Sequence, residues 1–127
     1  MTTALQPPPP ADLRVPKWVL ETGTRAKPQL KNLPLTNVHL TGHALKQNTV
    51  WANNGPRQIA FEDIVSTIRN YDLCYYTGAG FGAGEKKYQF LKRIGLKTIL
   101  VSAVLTTDKA GQIEVLVPTV FDRTNQL

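Results

Sequence analysis

Two runs of aliphatic and β-branched residues, Lys97 to Leu105 and Ile113 to Phe121, flank the short polar stretch Thr107-Asp-Lys-Ala-Gly111. Each run has strand length, and a brief connection ending in glycine is a hairpin signal. A hairpin this apolar must bury a face, so it constrains the rest of the chain to cover it. Upstream, Lys86 to Leu91 alternates around Tyr88 and Phe90 as a half-buried strand does, and Leu73 to Tyr76 is β-prone. The second half therefore reads as an antiparallel meander. Pro118 has no N–H to give to a ladder, which places it at an edge or a strand end.

The period changes ahead of the meander. Ile59 to Arg69 reads as a helix, with Ile59, Phe61, Ile64, Val65 and Ile68 on one side, Glu62 and Asp63 early and Arg69 last. Thr36 to Gln47 reads as a second, shorter helix: Thr36 or Asn37 can cap it, and Val38, Leu40, Ala44 and Leu45 supply an apolar face broken by Gly42. Thr49 to Pro56 is a loop with a turn at Asn54-Gly55-Pro56. Residues 1–35 are rich in proline (7–10, 16, 28 and 34) and read as a leader or linker, with Pro7 to Pro10 extended. Val15, Trp18, Val19 and Leu20 form a local apolar patch able to lay a short turn against the core. The expected architecture is an α+β domain over residues 36–127, two N-terminal helices packed on a four- or five-stranded antiparallel sheet.

A chain of 127 residues, 42% hydrophobic and 19% charged, suits one soluble globular domain. Cys74 is the single cysteine, so no internal disulfide can form, and one Cys with two His falls short of the usual four zinc ligands. No metal or cofactor is expected. No apolar run is long enough to span a membrane, and Met1 to Pro10 lacks the features of a signal peptide. A cytoplasmic location is expected; a toxin domain cut from a larger exported protein would read the same. The net charge of +6 and a pI near 9.7 suggest an anionic partner. Arg14, Lys17, Arg25, Lys27, Lys31 and Lys46 face only Asp12 and Glu21 in the first part of the chain, and Lys86, Lys87, Lys92, Arg93 and Lys97 form a second cluster.

His39 and His43 are the two histidines, four residues apart. On a helix both would point one way, and imidazole can take and give protons near neutral pH without a metal. Gly78-Ala-Gly80-Phe-Gly-Ala83 fits a relaxed dinucleotide fingerprint, which would need Glu85 to Ile94 to be a helix; a flexible substrate-side loop is the preferred reading. Tyr75, Tyr76, Phe81 and Tyr88 can stack an unpaired base, though packing is the commoner use of such residues. Cys74, among aromatic residues in a strand, is a poor nucleophile candidate.

The order of features is also that of a family. His43-Ala44 on an early helix is followed by Phe61-Glu-Asp-Ile64, then Lys86-Lys87-Tyr88-Gln-Phe90, the strand Thr98 to Val104, and the strand ending Val117-Pro-Thr119-Val-Phe121. This resembles the barnase–EndoU–colicin–RelE superfamily of ribonucleases, which includes C-terminal toxin domains of contact-dependent inhibition proteins and phage-encoded relatives. The resemblance covers residues 36–123 and implies metal-independent cleavage of RNA, often tRNA, to 2′,3′-cyclic phosphate and 5′-hydroxyl ends. It implies His43 in the catalytic position, Lys86 or Lys87 holding the scissile phosphate, and Thr119 bonding a phosphate oxygen with Arg123 adding charge. His39 joins the catalytic candidates, and Lys46, Lys92 and Arg93 join Arg123 as RNA-binding candidates. A toxin of this kind implies a cognate immunity protein or antitoxin. Pro118 before Thr119 and the long glycine-rich insert depart from the pattern. The alternatives are a non-catalytic nucleic-acid-binding module of a phage or viral accessory type, and a small nucleotide-binding fold using Gly78–Gly84.

Overall fold

The computed structural model describes residues 13, 15–42, 44, 59–80, 82, 84–95 and 97–122. Six strands form one mixed sheet: β1 (Thr24–Arg25), β2 (Val38–Leu40), β3 (Leu73–Ala79), β4 (Lys86–Ile94), β5 (Lys97–Thr107) and β6 (Ile113–Asp122), in the spatial order β1-β3-β4-β5-β6-β2. Helix α1 (Lys17–Thr22) and helix α2 (Phe61–Arg69) flank it.

The meander from β3 to β6 is antiparallel throughout. Asp108 shapes the β5–β6 turn: its Oδ1 accepts from Ala110 N and Gln112 N, both at 2.9 Å, and Gly111 takes φ +83°. Period-2 alternation divides the meander's side chains between two faces. Cys74, Phe90, Ile99, Val101, Ala103, Leu105, Val115, Val117 and Val120 point to one face and pack with Ile64, Val65 and Ile68 of α2 and with Leu30 and Leu33. Leu73, Tyr75, Leu91 and Leu100 point to the other, where Leu13 and, from α1, Val19 cover them. Helix α2 has no side-chain N-cap, and its earliest bonded amides are those of Asp63 and Ile64, both to Ala60 O. Packing therefore holds it: Ile64 and Ile68 are fully enclosed, and burial of each contributes about 2 kcal/mol.

The expectation of two N-terminal helices on a four- or five-stranded antiparallel sheet is corrected here. Of Thr36 to Gln47, Leu35–Asn37 is a single 3-10 turn and Val38–Leu40 is strand β2, parallel to β6 in the register Val38↔Val115, His39↔Leu116, Leu40↔Val117. Val38 and Leu40 fit a strand's alternation as well as a helical face, and the outer edge of β6 offers backbone groups that need partners. Asn37 does not cap a helix. Its Nδ2 donates to Ile113 O at 3.0 Å, fastening β2 to the start of β6. Among the described residues after β2, Gly42 and Ala44 have helical backbone, with Thr41 Oγ1 accepting from Ala44 N at 3.1 Å; residues 43 and 45–47 of the expected helix lie outside the described residues. Strand β1, from residues 24–25, adds the other edge by pairing with β3, and α1 is six residues long. Among the described residues α2 is the one helix longer than two turns.

Pro118 sits where the β5–β6 register shifts between Ser102 and Val104, just past the end of β2. A bulge there tolerates a residue with no N–H, and Thr41 uses the freed carbonyls: Thr41 N donates to Val117 O at 3.0 Å and its hydroxyl to Pro118 O at 3.4 Å. Among the described residues no helix is long and apolar enough to cross a membrane.

Candidate functional site

The face opposite α2, apolar where Leu13 and Val19 cover it, also carries Lys87, Gln89, Ser102 and Thr119. Two transverse rows run across it. Tyr75, Gln89, Ser102 and Thr119 are register partners on β3 to β6, and Lys87, Val104, Leu116 and His39 are partners on β4, β5, β6 and β2.

The first row is hydrogen-bonded within the sheet. Gln89 is fully buried; its Nε2 donates to Thr77 Oγ1 at 3.2 Å and its Oε1 accepts from the Ser102 hydroxyl. Thr77 Oγ1 in turn donates to Lys87 O at 3.3 Å. A buried primary amide must have such partners, so the chain of bonds fixes the Gln89 and Ser102 rotamers beside half-buried Thr119. The second row is closed at Val104, which is 1% exposed, and open toward the β6–β2 edge. Leu116 is 40% exposed, and at the outer edge His39 Nε2 lies 2.9 Å from Glu114 Oε2. Glu114 reaches His39 because parallel pairing sets His39 beside Leu116, and Glu114, two residues back on β6, shares that face with the solvent-facing imidazole.

The β3–β4 connection closes over the inner end of the second row. A Cβ on Gly80 would lie 2.9 Å from Val104 Cγ1 and 2.6 Å from Glu85 Cβ, so only glycine fits. Gly80 N bonds to Glu85 O at 3.0 Å, and Gly84 takes φ +78°. The glycine run thus joins two antiparallel strands. Residues 86–94 are β4 rather than a helix, so the strand–glycine–helix arrangement of a dinucleotide site is not formed.

His39, Lys87 and Thr119 share this face. Lys86, opposite Leu105, starts on the α2 face at an exposed strand end. Lys92, opposite Ile99, is also on the α2 side and donates Nζ to Asn70 O at 2.8 Å. Arg93 donates Nε to Gly95 O at 2.9 Å. Lys86 and Lys92 are separated by about 20 Å along β4, so the basic cluster of the sequence is two clusters in space. His43, Lys46, Phe81 and Arg123 lie outside the described residues. His39 does not share a helix face with His43, because His39 is in β2.

Tyr76, Tyr88 and Phe90 form a ring ladder on the α2 face, with centroids 5.3 Å and 6.0 Å apart, and Tyr71 joins Phe90 at 5.5 Å. Packing, not an open stacking platform, accounts for Tyr88. Cys74 is buried and desolvation pushes its thiol far up, which leaves no thiolate for nucleophilic work. Among the described residues no group of three or more His, Cys, Asp or Glu is placed to hold a metal ion.

Sequence reasoning missed Glu114, Gln89 and Ser102. Gln89 was open to it, since alternation puts Lys87 and Gln89 on one face; Glu114 depends on the parallel β2–β6 pairing, which no local pattern announces. Comparison with protein-family models, curated proteins and solved structures finds no match to this chain.

Proposed function

We propose that the protein is a metal-independent endoribonuclease of toxin type that takes RNA on the sheet face opposite α2. The observation that carries this reading is the His39–Glu114 pair, 2.9 Å apart, in the same cross-strand row as Lys87. A carboxylate on one ring nitrogen favours the tautomer that leaves the other free to accept a proton, and it stabilises the imidazolium that results. Three strand spacings put the Cα atoms of His39 and Lys87 about 14 Å apart, a span that two extended side chains can bridge across one phosphate group. In this reading His39 takes the proton of the 2′-hydroxyl as its oxygen attacks the adjacent phosphorus. Lys87 and the Thr119 hydroxyl bind the phosphorane oxygens, and the 5′-oxygen leaves with a proton from a second acid, for which His43 is the candidate. The products are a 2′,3′-cyclic phosphate and a 5′-hydroxyl. The buried Gln89–Ser102 chain holds the platform rigid under the reacting phosphate.

Transfer RNA in the cytosol is the proposed substrate, since a chain of net charge +6 is drawn to a compact polyanion. The same charge makes an acidic immunity protein or antitoxin the fitting inhibitor. The test is incubation of total tRNA with the purified protein in excess EDTA, alongside His39→Ala, His43→Ala and Glu114→Gln, with fragment ends read by mass spectrometry. Discrete fragments with cyclic-phosphate ends, lost in His39→Ala and reduced in Glu114→Gln, are expected. Intact RNA after incubation with the wild type, despite salt-sensitive binding, would overturn catalysis and leave a binding module.

A further inference from the structure

We propose that the 240 Å³ pocket at the C-terminal end of α2 is a phosphate-binding site, distinct from the His39 face and independent of whether that face cleaves RNA. Lys31, Arg69 and Lys92 line it, together with Pro28, Tyr71 and Asp72.

Two of these cations are held in place by neutral carbonyls rather than by carboxylates. Arg69 Nε donates to Lys31 O at 3.0 Å, and Lys92 Nζ donates to Asn70 O at 2.8 Å. The other N–H groups of both side chains stay available. Among the described residues no carboxylate is ion-paired with Lys31, Arg69 or Lys92. One oxygen of the Asp72 carboxylate is engaged, Oδ2 accepting from Arg93 N at 2.8 Å, and its charge stays in the pocket lining.

The bland account of these cations is that they compensate the helix end. Magnitudes decide against it as a full explanation. The C-terminus of a helix carries about half a negative charge, and Asp72 adds one; three cations exceed that by about one and a half charges. The pocket is also preformed. Its outer wall, residues 28–31, is tied at both ends: Tyr71 Oη donates to Pro28 O at 2.7 Å and Arg69 bonds to Lys31 O. A rigid concave site with excess positive charge, a forked guanidinium and an ammonium suits the three acceptor oxygens of a phosphate. Lys92 opposes Ile99, whose side chain lies in the core under α2, so this site and the His39 row are on opposite sides of the sheet.

A phosphate here comes either from a small ligand, inorganic phosphate or a 5′-mononucleotide, or from a nucleic-acid backbone. Amide chemical-shift titrations of the full chain with inorganic phosphate, a 5′-mononucleotide and a short single-stranded oligonucleotide separate these sources. Saturable shifts at Arg69, Tyr71 and Lys92 are expected with at least one of the three probes. Response to the small anions identifies a phosphomonoester site, and response to the oligonucleotide alone identifies backbone binding. Arg69→Gln should weaken the effective probe at least about tenfold, the loss of one charge-assisted hydrogen bond. Lys31→Gln, on an exposed turn, gives the same reading without touching a helix contact. No saturable shift with any probe, or unchanged affinity in both variants, overturns the proposal.

Discussion

Replacing Ser102 with alanine strands a buried carbonyl. Gln89 is fully enclosed, and the Ser102 hydroxyl donates to its Oε1 while its Nε2 is committed to Thr77. Without that hydroxyl, the buried Oε1 has no other partner among the described residues, at a cost of about 1–3 kcal/mol. Taking the middle of that range, and an unfolding entropy of about 2.1 cal/mol/K per residue over 127 residues, Tm should fall by about 7 °C. Adding Gln89→Leu to Ser102→Ala then removes the stranded group at nearly constant volume, and the Thr77 hydroxyl keeps its bond to Lys87 O. The double variant should therefore be more stable than Ser102→Ala alone, with a coupling energy of at least about 1 kcal/mol. Urea denaturation of the wild type, both single variants and the double, compared at equal m-values, measures this. Ser102→Ala within about 0.5 kcal/mol of the wild type, or a double variant weaker than Ser102→Ala, would refute the reasoning.

Gly80→Ala should destabilise by about 1–3 kcal/mol, because the new Cβ meets Glu85 Cβ at 2.6 Å and Val104 Cγ1 at 2.9 Å; thermal melts check it, and Gly82→Ala, whose nearest contact is 3.3 Å, should cost less. Burial, then Cys74 and Tyr88, push the Tyr71 phenol from 10.0 to about 12, so the fold favours its neutral form. Its contribution to stability is complete below pH 10 and lost as pH rises through about 12; Tyr71→Phe should flatten the fall of stability over that window in pH-dependent urea melts. Cys74, buried with its thiol pushed up, should stay inert to an aromatic disulfide reagent in the native protein and react stoichiometrically in denaturant; fast native labelling would contradict its placement. The His39–Glu114 pair is solvent-facing, so Glu114→Gln should change stability by less than about 1 kcal/mol, separating its chemical role from a structural one in the same melts.

The legible parts of this fold are those whose signal is local. Ile64, Val65 and Ile68 fall on one side of a helical period, and β4 to β6 announce themselves by alternation and by the Asp108–Gly111 turn. The segment from Thr36 was ambiguous because Val38 and Leu40 satisfy both periods. The tie is broken by Asn37 bonding to Ile113 and by the β6 edge, 75 residues or more away in sequence. The same non-local pairing assembles the candidate site: Lys87 and Thr119 were readable as strand residues, whereas Glu114 beside His39 follows only from the parallel register. The proline-rich start shows the converse. Val19, Leu30 and Leu33 are buried in the sheet's two cores, although proline spacing hides any periodicity around them.

Parallel pairing of an early edge strand with the last strand of the meander also sets an order of assembly. The hairpins from β3 to β6 close between neighbours in the chain, but β2 has no ladder partner until β6 has been made. On the ribosome, residues 38–40 must wait through the synthesis of the whole meander before they can dock. His39 meets Glu114 only at that final step, so a nascent chain stopped before β6 carries the imidazole without its carboxylate. Any activity built on that pair therefore stays silent until translation has passed the last strand.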